Sequence, residues 1–197
     1  MIGYGSGVTV GAALQFPVSR LDVIEIEPAV VEAAKFFGPY NHNAHEDPRL
    51  RVYYDDGRNF LQSTTTLYDV IISEPSNPWL AGVASLFTEE FFASVKARLR
   101  PNGVFLQWLQ LYEISPQSIQ LVLRTFHASF PQGVVFCAGP YSPDLLLVAL
   151  PNGQKISPEA LAELWRIPGV AAEFQRAKLN HPYDLMSLLL VGGETTR

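Results

Sequence analysis

The sequence is poor in cysteine, in clustered positive charge and in long apolar runs. One cysteine among 197 residues, Cys137, excludes an internal disulfide framework and is typical of a reducing compartment. Nineteen acidic and fourteen basic residues give a formal net charge of -5, which argues against the lysine- and arginine-rich track that nucleic acids require. No apolar run approaches the roughly 20 residues that span a bilayer, and no secretory signal is seen. We therefore expect a cytoplasmic protein that contacts neither nucleic acid nor, through this chain itself, a membrane.

The residues that are present predict an α/β fold. Hydrophobic residues make up 48% of the chain and charged residues 17%, which supports a substantial buried core. Short Val/Ile-rich segments alternate with longer amphipathic ones, as in a Rossmann-like, mostly parallel sheet with helices on both faces. Strands are predicted at 21–26, 50–54, 68–73 and 104–108, and helices at 8–15, 28–37 and 88–99.

The two ends of the sequence depart from this alternation. Only Met1 and Ile2 precede the first glycine, so we expect a truncated first strand and a longer parent protein. After a turn predicted at 101–103, the pattern predicts a long helix, two antiparallel edge strands and a run of short helices, at 115–130, 134–137, 145–150 and from 157 onward. The expected domains are a nucleoside-binding catalytic domain at 1–150 and a helical appendage at 151–197.

Three glycines near the start form the first candidate site. Gly3, Gly5 and Gly7 are spaced G-x-G-x-G and lead into a predicted helix. Glycine lets the backbone turn sharply and lets a ligand approach closely. The spacing differs from the G-x-G-x-x-G turn that binds a pyrophosphate, and it favours a nucleoside with a charged sulfonium tail and no phosphate. The alternative is a turn that serves tight packing alone.

Acidic residues follow the next two predicted strands. Glu25 ends an apolar strand about 20 residues past the glycine turn, where a carboxylate can accept hydrogen bonds from both ribose hydroxyls. Glu27 instead suits a helix N-terminus, which favours negative charge. Asp56 follows the second strand and can accept a hydrogen bond from an adenine amino group, while Gly57 permits a close turn. The alternative for this pair is an ordinary Asp-Gly turn.

A loop with two prolines follows the strand at 68–73. The prolines restrain the loop, so we expect Glu74 and Asn77 to be held rigidly and Trp79 to form a wall of the site. Reactive groups gather beyond the carboxyl ends of the strands in open parallel sheets. Glu74 can stabilise a sulfonium cation and take a proton from an attacking amine. The alternative is a rigid turn that carries a solvated glutamate.

Histidine and cysteine give no further site. His42 and His45 lie near Glu46 and Asp47, but no additional Cys/His cluster completes a ligand set. No metal is therefore predicted. Cys137 is interpreted as a small buried hydrophobic residue.

Together these segments resemble the polyamine aminopropyltransferases, the spermidine and spermine synthases and their relatives. The resemblance runs in order from Gly3 to about Tyr112, and Gln107 fits the family's glutamine after the fifth strand. Its most specific part is 85–92, a run that ordinary methyltransferases lack. The matching segments are 3–7, 23–27, 47–50, 56–61, 68–72 and 85–92.

The resemblance implies a class I S-adenosylmethionine-dependent methyltransferase fold. The implied group donor is decarboxylated S-adenosylmethionine, and the implied partner is a small-molecule amine; assembly into a homodimer stays open. Glu74 stands where the family has the aspartate credited with deprotonating the attacking amine. The implied donor-binding residues are Gly3, Gly5, Gly7, Glu25, Asp56 and Gly57, and the expected substrate-binding residues are Asn77, Trp79, Gln107 and Tyr112.

Several departures from the family pattern keep two alternatives open. Ser6 replaces an aspartate that helps hold the donor's ammonium group, Asn77 replaces the second loop aspartate, and the upstream β-rich segment is missing. The loop and residues 110–114 look more like spermidine-synthase-like domains attached to membrane-transporter-like segments in bacteria. One alternative is a methyltransferase that uses S-adenosylmethionine itself. The other is a non-catalytic domain that binds a nucleoside or polyamine within a larger membrane protein.

Overall fold

A computed structural model of the chain describes residues 1–75, 82–139, 142–150 and 157–191. The chain divides into two compact units, Met1–Gly57 with Ile156–Ser187 and Arg58–Lys155 with Leu188–Arg197. Both units contain helices and strands, so the predicted α/β fold is confirmed. The expected domains at 1–150 and 151–197 stay a prediction.

Helices and strands are numbered here in chain order. The helices are α1 (Val8–Leu14), α2 (Pro28–Ala34), α3 (Gly38–Asn41), α4 (Gly57–Ser63), α5 (Glu89–Arg98), α6 (Pro116–Ser129), α7 (Pro158–Leu164), α8 (Pro168–Arg176) and α9 (Pro182–Ser187). The strands are β1 (Leu21–Glu25), β2 (Leu50–Tyr54), β3 (Tyr68–Ser73), β4 (Leu99–Leu109), β5 (Val134–Cys137), β6 (Leu145–Ala149) and β7 (Leu189–Val191). Short 3-10 helices lie at Lys35–Phe37, Ala44–Glu46 and Val83–Phe87.

In the first unit, β1 and β2 form a parallel pair that runs in register to Glu25 and Tyr54. Ile2 forms a parallel bridge to Ile24, and the Gly3 N–H donates to the Ile24 carbonyl at 2.9 Å. The residues before the glycine turn therefore pair with β1 as a very short strand. Because all three segments run in parallel, their carboxyl ends meet at one edge.

Helix α2 begins where the sequence predicts it. Pro28 lies in its first turn, and the Glu27 side chain accepts a hydrogen bond from the Ala29 N–H at 3.0 Å. This is the capping role that the sequence favours for Glu27, since a carboxylate satisfies an N–H group that has no partner inside the helix. Glu25, two residues earlier, is left for a different role.

In the second unit, the described strands form a mixed sheet in the order β3-β4-β6-β5-β7. β3 and β4 are parallel, whereas β4–β6, β5–β6 and β5–β7 are antiparallel. The predicted antiparallel pairing of the two late strands is confirmed. Their predicted position at the sheet edge is wrong, because β4 pairs with the other side of β6 and β7 pairs with the other side of β5. The parallel pair places the residues after β3 beside the end of β4.

An aromatic cluster forms the core of the second unit. Its members come from α5, β4 and the end of α6, and neighbouring ring centroids lie 5.2 to 6.4 Å apart. They are Phe91, Phe92, Phe105, Phe126 and Phe130. Offset and edge-on ring pairs at these separations add to the free energy gained from burial. The cluster packs α5 and α6 against β4, which carries Gln107.

The turn predicted at 101–103 is wrong as a boundary, because these residues lie inside β4. Tyr68 pairs with Leu99 and Val70 with Val104, so β4 advances five residues while β3 advances two. The extra residues form a bulge. A Cβ on Gly103 would lie 3.0 Å from the Tyr68 carbonyl oxygen, so glycine permits this close approach of the two strands.

Candidate functional site

The glycine turn has the backbone geometry that only glycine adopts readily. Gly3, Gly5 and Gly7 have φ values of 90°, 53° and 75°, in the region where a side chain is strained. The Gly7 N–H donates to the Tyr4 carbonyl at 2.9 Å and closes the turn. Gly5 is exposed, and a Cβ there would meet no atom within 4 Å. The tip of the turn is therefore open to a ligand.

Glu25 lies behind this turn as the last residue of β1, and it is buried with 8% of its surface exposed. Its Oε2 accepts a hydrogen bond from the Tyr4 N–H at 2.9 Å, and its Oε1 accepts one from the Glu27 N–H at 3.0 Å. An ionised carboxylate has about four acceptor positions. Glu25 can therefore hold the turn and still accept hydrogen bonds from two hydroxyl groups.

Tyr4 packs under the turn. Its ring is buried, and a Cβ on Gly7 would lie only 2.8 Å from its Cε1 atom. Burial, with a smaller contribution from the charge of Tyr54, raises the pKa of the Tyr4 phenol. The side chain is therefore neutral at physiological pH and supports the turn by packing.

Residues 55–57 lie beside Glu25 at the end of β2. The Asp55 N–H donates to the Glu25 carbonyl at 3.2 Å, and the Asp56 N–H donates to the Asp55 carboxylate at 2.8 Å. Gly57 begins α4 instead of a simple turn, and a Cβ there would lie 2.5 Å from the Ile2 side chain. The predicted donor-binding residues of the first unit therefore gather at one edge of its parallel strands.

In the second unit, Gln107 lies opposite Ser73 in the β3–β4 register, and both residues are fully buried. The Gln107 Nε2 donates to the carbonyl oxygens of Trp108 and Ser73 at 3.1 and 3.4 Å. These bonds fix which end of the amide faces the backbone. Gln107 Oε1 and Ser73 Oγ have no hydrogen-bond partner within the described parts of the chain. Buried oxygens without donors are rare in folded proteins.

Glu74 and Tyr112 come after the ends of the two strands that carry this pair. Glu74 follows β3 directly and is half-buried. Tyr112 lies three residues beyond the end of β4 and is 47% exposed. Asn77 and Trp79 lie outside the described residues. The roles of Glu74, Asn77, Trp79, Gln107 and Tyr112 stay predictions.

Three residues of the site were not found from the sequence. Tyr4 holds Glu25 through its backbone, Ser73 accompanies Gln107, and Asn41 donates a hydrogen bond to the turn at the Ser6 carbonyl. A residue that acts through its backbone N–H or through packing can be of many types, so the sequence shows no pattern that identifies it. For Ser73, the strand-end position next to Glu74 was the one available signal.

The structure gives no metal ligand set and no membrane span among the residues it describes. No cluster of three or more His, Cys, Asp or Glu side chains there is placed to bind a metal ion. His42 instead lies 2.7 Å from Glu173 in α8. None of the helices in the described ranges is long and apolar enough to cross a bilayer.

Comparison with known proteins places the chain in one family. Residues 1–146 match the model of the spermine/spermidine synthase domain. The polyamine aminopropyltransferase of Alkaliphilus oremlandii is 33% identical over 107 residues, which cover 54% of this chain and 37% of that protein. The chain spans less than half the length of the curated relatives it matches.

Solved structures show the same fold. A spermidine synthase in complex with the transition-state analogue AdoDATO superposes with a TM-score of 0.73 at 25% identity, over 81% of this chain and 57% of that one. Human methyltransferase-like protein 13 in complex with SAH matches with a TM-score of 0.66 at 22% identity, over 88% of this chain and 80% of that one. The predicted class I methyltransferase-like fold is confirmed, and the chain belongs to the spermine/spermidine synthase domain family.

Proposed function

We propose that the chain is the nucleoside-binding and catalytic part of a spermidine-synthase-like transferase. It moves an aminopropyl group from decarboxylated S-adenosylmethionine to a polyamine acceptor. The observation that carries the proposal is the buried Glu25 carboxylate, which two backbone N–H groups orient behind the open glycine turn. Family membership supports the same class of reaction.

The donor-binding residues suit a nucleoside that carries no phosphate. Glu25 offers two carboxylate oxygens for the paired hydroxyls of a ribose. Asp56, half-buried at the start of α4, is assigned to the adenine amino group. Gly5 lets the ligand approach the tip of the turn without a side chain between them. The donor supplies a sulfonium centre, whose sulfur leaves readily.

The acceptor residues suit an amine. The amine nitrogen attacks the carbon next to the sulfonium sulfur, so a C–N bond forms as the C–S bond breaks. The electron pair of the broken bond stays on sulfur and gives neutral 5′-methylthioadenosine. The nitrogen loses one proton, which Glu74 accepts as general base. Gln107 Oε1 accepts an N–H of the amine and orients it, and Asn77, Trp79 and Tyr112 complete the acceptor site.

Product analysis tests the reaction. The chain is incubated with putrescine and with either decarboxylated S-adenosylmethionine or S-adenosylmethionine, and the products are identified by mass spectrometry. Spermidine and 5′-methylthioadenosine are expected from the decarboxylated donor alone. Methylated putrescine from the other donor would establish the methyltransferase alternative instead.

Ligand binding tests the nucleoside site apart from the chemistry. Thermal unfolding is measured with S-adenosylmethionine, its decarboxylated form and 5′-methylthioadenosine, because a ligand that binds the folded protein raises its Tm. A raised Tm without any product would favour the non-catalytic binding domain. If no ligand raises the Tm, the aminopropyltransferase and methyltransferase hypotheses both lose their main support.

A further inference from the structure

Asn41 is a buried polar residue beside the glycine turn, and the proposed reaction assigns it no role. It ends α3 and has 1% of its surface exposed. Its Nδ2 donates to the Ser6 carbonyl at 2.9 Å and to the Ala34 carbonyl at 2.8 Å. The same amide group therefore joins the glycine turn to the end of α2.

The orientation of this amide is determined by its neighbours. A reversed side chain would place Oδ1 against two carbonyl oxygens, which are both acceptors. Oδ1 itself has no hydrogen-bond partner among the described residues. A buried acceptor left in this way is unfavourable, so the two bonds from Nδ2 outweigh that penalty.

Two glycines of the first unit make room for Asn41. A Cβ on Gly11 in α1 would lie 2.1 Å from the Asn41 carbonyl oxygen, and one on Gly7 would lie 3.0 Å from Nδ2. The backbone of α3 thus packs directly on α1. Any larger residue at Gly11 would push Asn41 away from the turn.

The bond to Ser6 fixes one peptide unit at both ends. The carbonyl of the Ser6–Gly7 peptide accepts from Asn41, and its N–H donates to the Tyr4 carbonyl. Rotation of this peptide changes the φ angle of Gly7, which is 75°, and glycine populates both signs of φ with similar ease. Without an external donor, this peptide could rotate and change the shape of the open tip.

We propose that Asn41 is a positioning residue that holds the glycine turn in its nucleoside-binding conformation. It acts by donating a hydrogen bond to the Ser6 carbonyl. This role requires no contact between Asn41 and the ligand. The inference rests on the proposed function, because it assigns the turn to a nucleoside. The required property is an amide donor at this position, which neither a carboxylate nor an aliphatic side chain supplies.

The test compares Asn41→Leu and Asn41→Asp with the wild-type chain at 20 °C. Affinity for 5′-methylthioadenosine is measured by calorimetry, and amide hydrogen exchange is measured at Gly7 and at Ile24. We expect about a 10-fold loss of affinity, because turn geometry is lost with the two hydrogen bonds. We also expect at least about a 10-fold faster exchange at Gly7, with little change at Ile24.

Val170→Ala is the matched control, because Val170 is fully buried in α8 of the same unit and forms no part of the glycine turn. It is expected to lower the Tm while affinity and Gly7 exchange stay at wild-type values. Wild-type affinity in folded Asn41→Leu would overturn the inference. If the wild-type chain does not bind the nucleoside, the proposed function fails. In that case the hydrogen exchange of Gly7 still tests the positioning role, and unchanged exchange in both Asn41→Leu and Asn41→Asp would refute it.

Discussion

The glycine turn of the first unit and the strand ends of the second unit differ in whether their buried side-chain oxygens have hydrogen-bond donors. At the turn, both carboxylate oxygens of Glu25 accept backbone hydrogen bonds. At the strand ends, Gln107 Oε1 and Ser73 Oγ are buried without a partner among the described residues. The backbone thus holds the carboxylate of the first region by both oxygens, whereas Gln107 and Ser73 of the second region each leave a side-chain oxygen without a donor among the described residues.

This difference indicates how each region would recognise its ligand. A preorganised carboxylate loses little conformational entropy when a ribose binds, so the first region gains affinity from rigidity. Buried oxygens without donors discriminate strongly, because a ligand that lacks N–H groups leaves them unsatisfied. Under the proposed function, these oxygens would select an amine.

The largest effect is expected from Glu74→Gln. Glutamine has the same shape but cannot accept a proton, so kcat should fall by about 100-fold or more if Glu74 is the general base. The KM of the donor should stay unchanged, because donor recognition belongs to the first unit. Mass-spectrometric product rates with decarboxylated S-adenosylmethionine and putrescine measure both constants. Glu113→Gln, at an exposed position, is the control, and a wild-type kcat for Glu74→Gln would exclude the residue as base.

The next effect is expected from Glu25→Gln. The amide nitrogen would face a backbone N–H and lose one of the two bonds that hold the turn. Affinity for 5′-methylthioadenosine should fall about 10- to 100-fold, since hydrogen bonds to a charged group contribute about 1.5–3 kcal/mol. Calorimetry measures the affinity. Glu27→Gln is the matched control, because glutamine can still cap α2; equal losses in both variants would contradict the role of Glu25.

Much of the fold and part of the site could be predicted from the sequence. Val/Ile-rich segments locate β1 and β3, because parallel strands that are covered on both faces need apolar residues on each. The segment at 50–54, in which no residue is buried, locates β2 through its Val and two Tyr residues. Acids that directly follow such strands must lie at the carboxyl edge. This places Glu25 and Asp56 near the glycine turn from chain order alone.

The rest depends on contacts between distant segments. The bulge at 101–103 follows from the pairing of β4 with β3, since Pro-Asn-Gly alone is typical of a turn. Gly57 is required for packing on Ile2, which no local pattern indicates. Asn41 is 35 positions away from Ser6 along the chain. Its role is visible only once α3 packs on α1.

Ser73→Ala should change stability and function in opposite directions. The Ser73 hydroxyl is fully buried without a partner among the described residues, so its removal should raise the free energy of unfolding by up to about 1 kcal/mol. The KM of the amine should rise a few-fold if the hydroxyl contacts the acceptor. Urea unfolding and steady-state kinetics measure the two effects. Ser94→Ala is the control, because Ser94 is half-buried in α5 and its hydroxyl already donates to the Glu90 carbonyl at 2.9 Å. An unchanged amine KM in Ser73→Ala would remove Ser73 from the acceptor site.

The smallest effect is expected from Asp47→Asn, and it depends on pH. The Arg49 guanidinium donates to both Asp47 oxygens at 3.0 and 2.7 Å and to the Leu14 carbonyl at 2.7 Å, so it joins β2 to α1. The hydrogen bond from Arg49 holds the pKa of Asp47 below its ordinary value of 3.8.

A carboxylate whose pKa is lower in the folded state stabilises the protein at pH values above its unfolded-state pKa. This stabilisation is lost as the pH falls through the folded-state pKa. Because the Asp47–Arg49 pair is partly exposed, Asp47→Asn should lower the free energy of unfolding by roughly 0.5 kcal/mol at pH 7. The difference from wild type should shrink as pH falls below 4. Asp69→Asn, at an exposed carboxylate, should show no such difference in urea unfolding. A difference between Asp47→Asn and wild type that stays constant from pH 7 to pH 2 would show that the charge of Asp47 does not stabilise the fold.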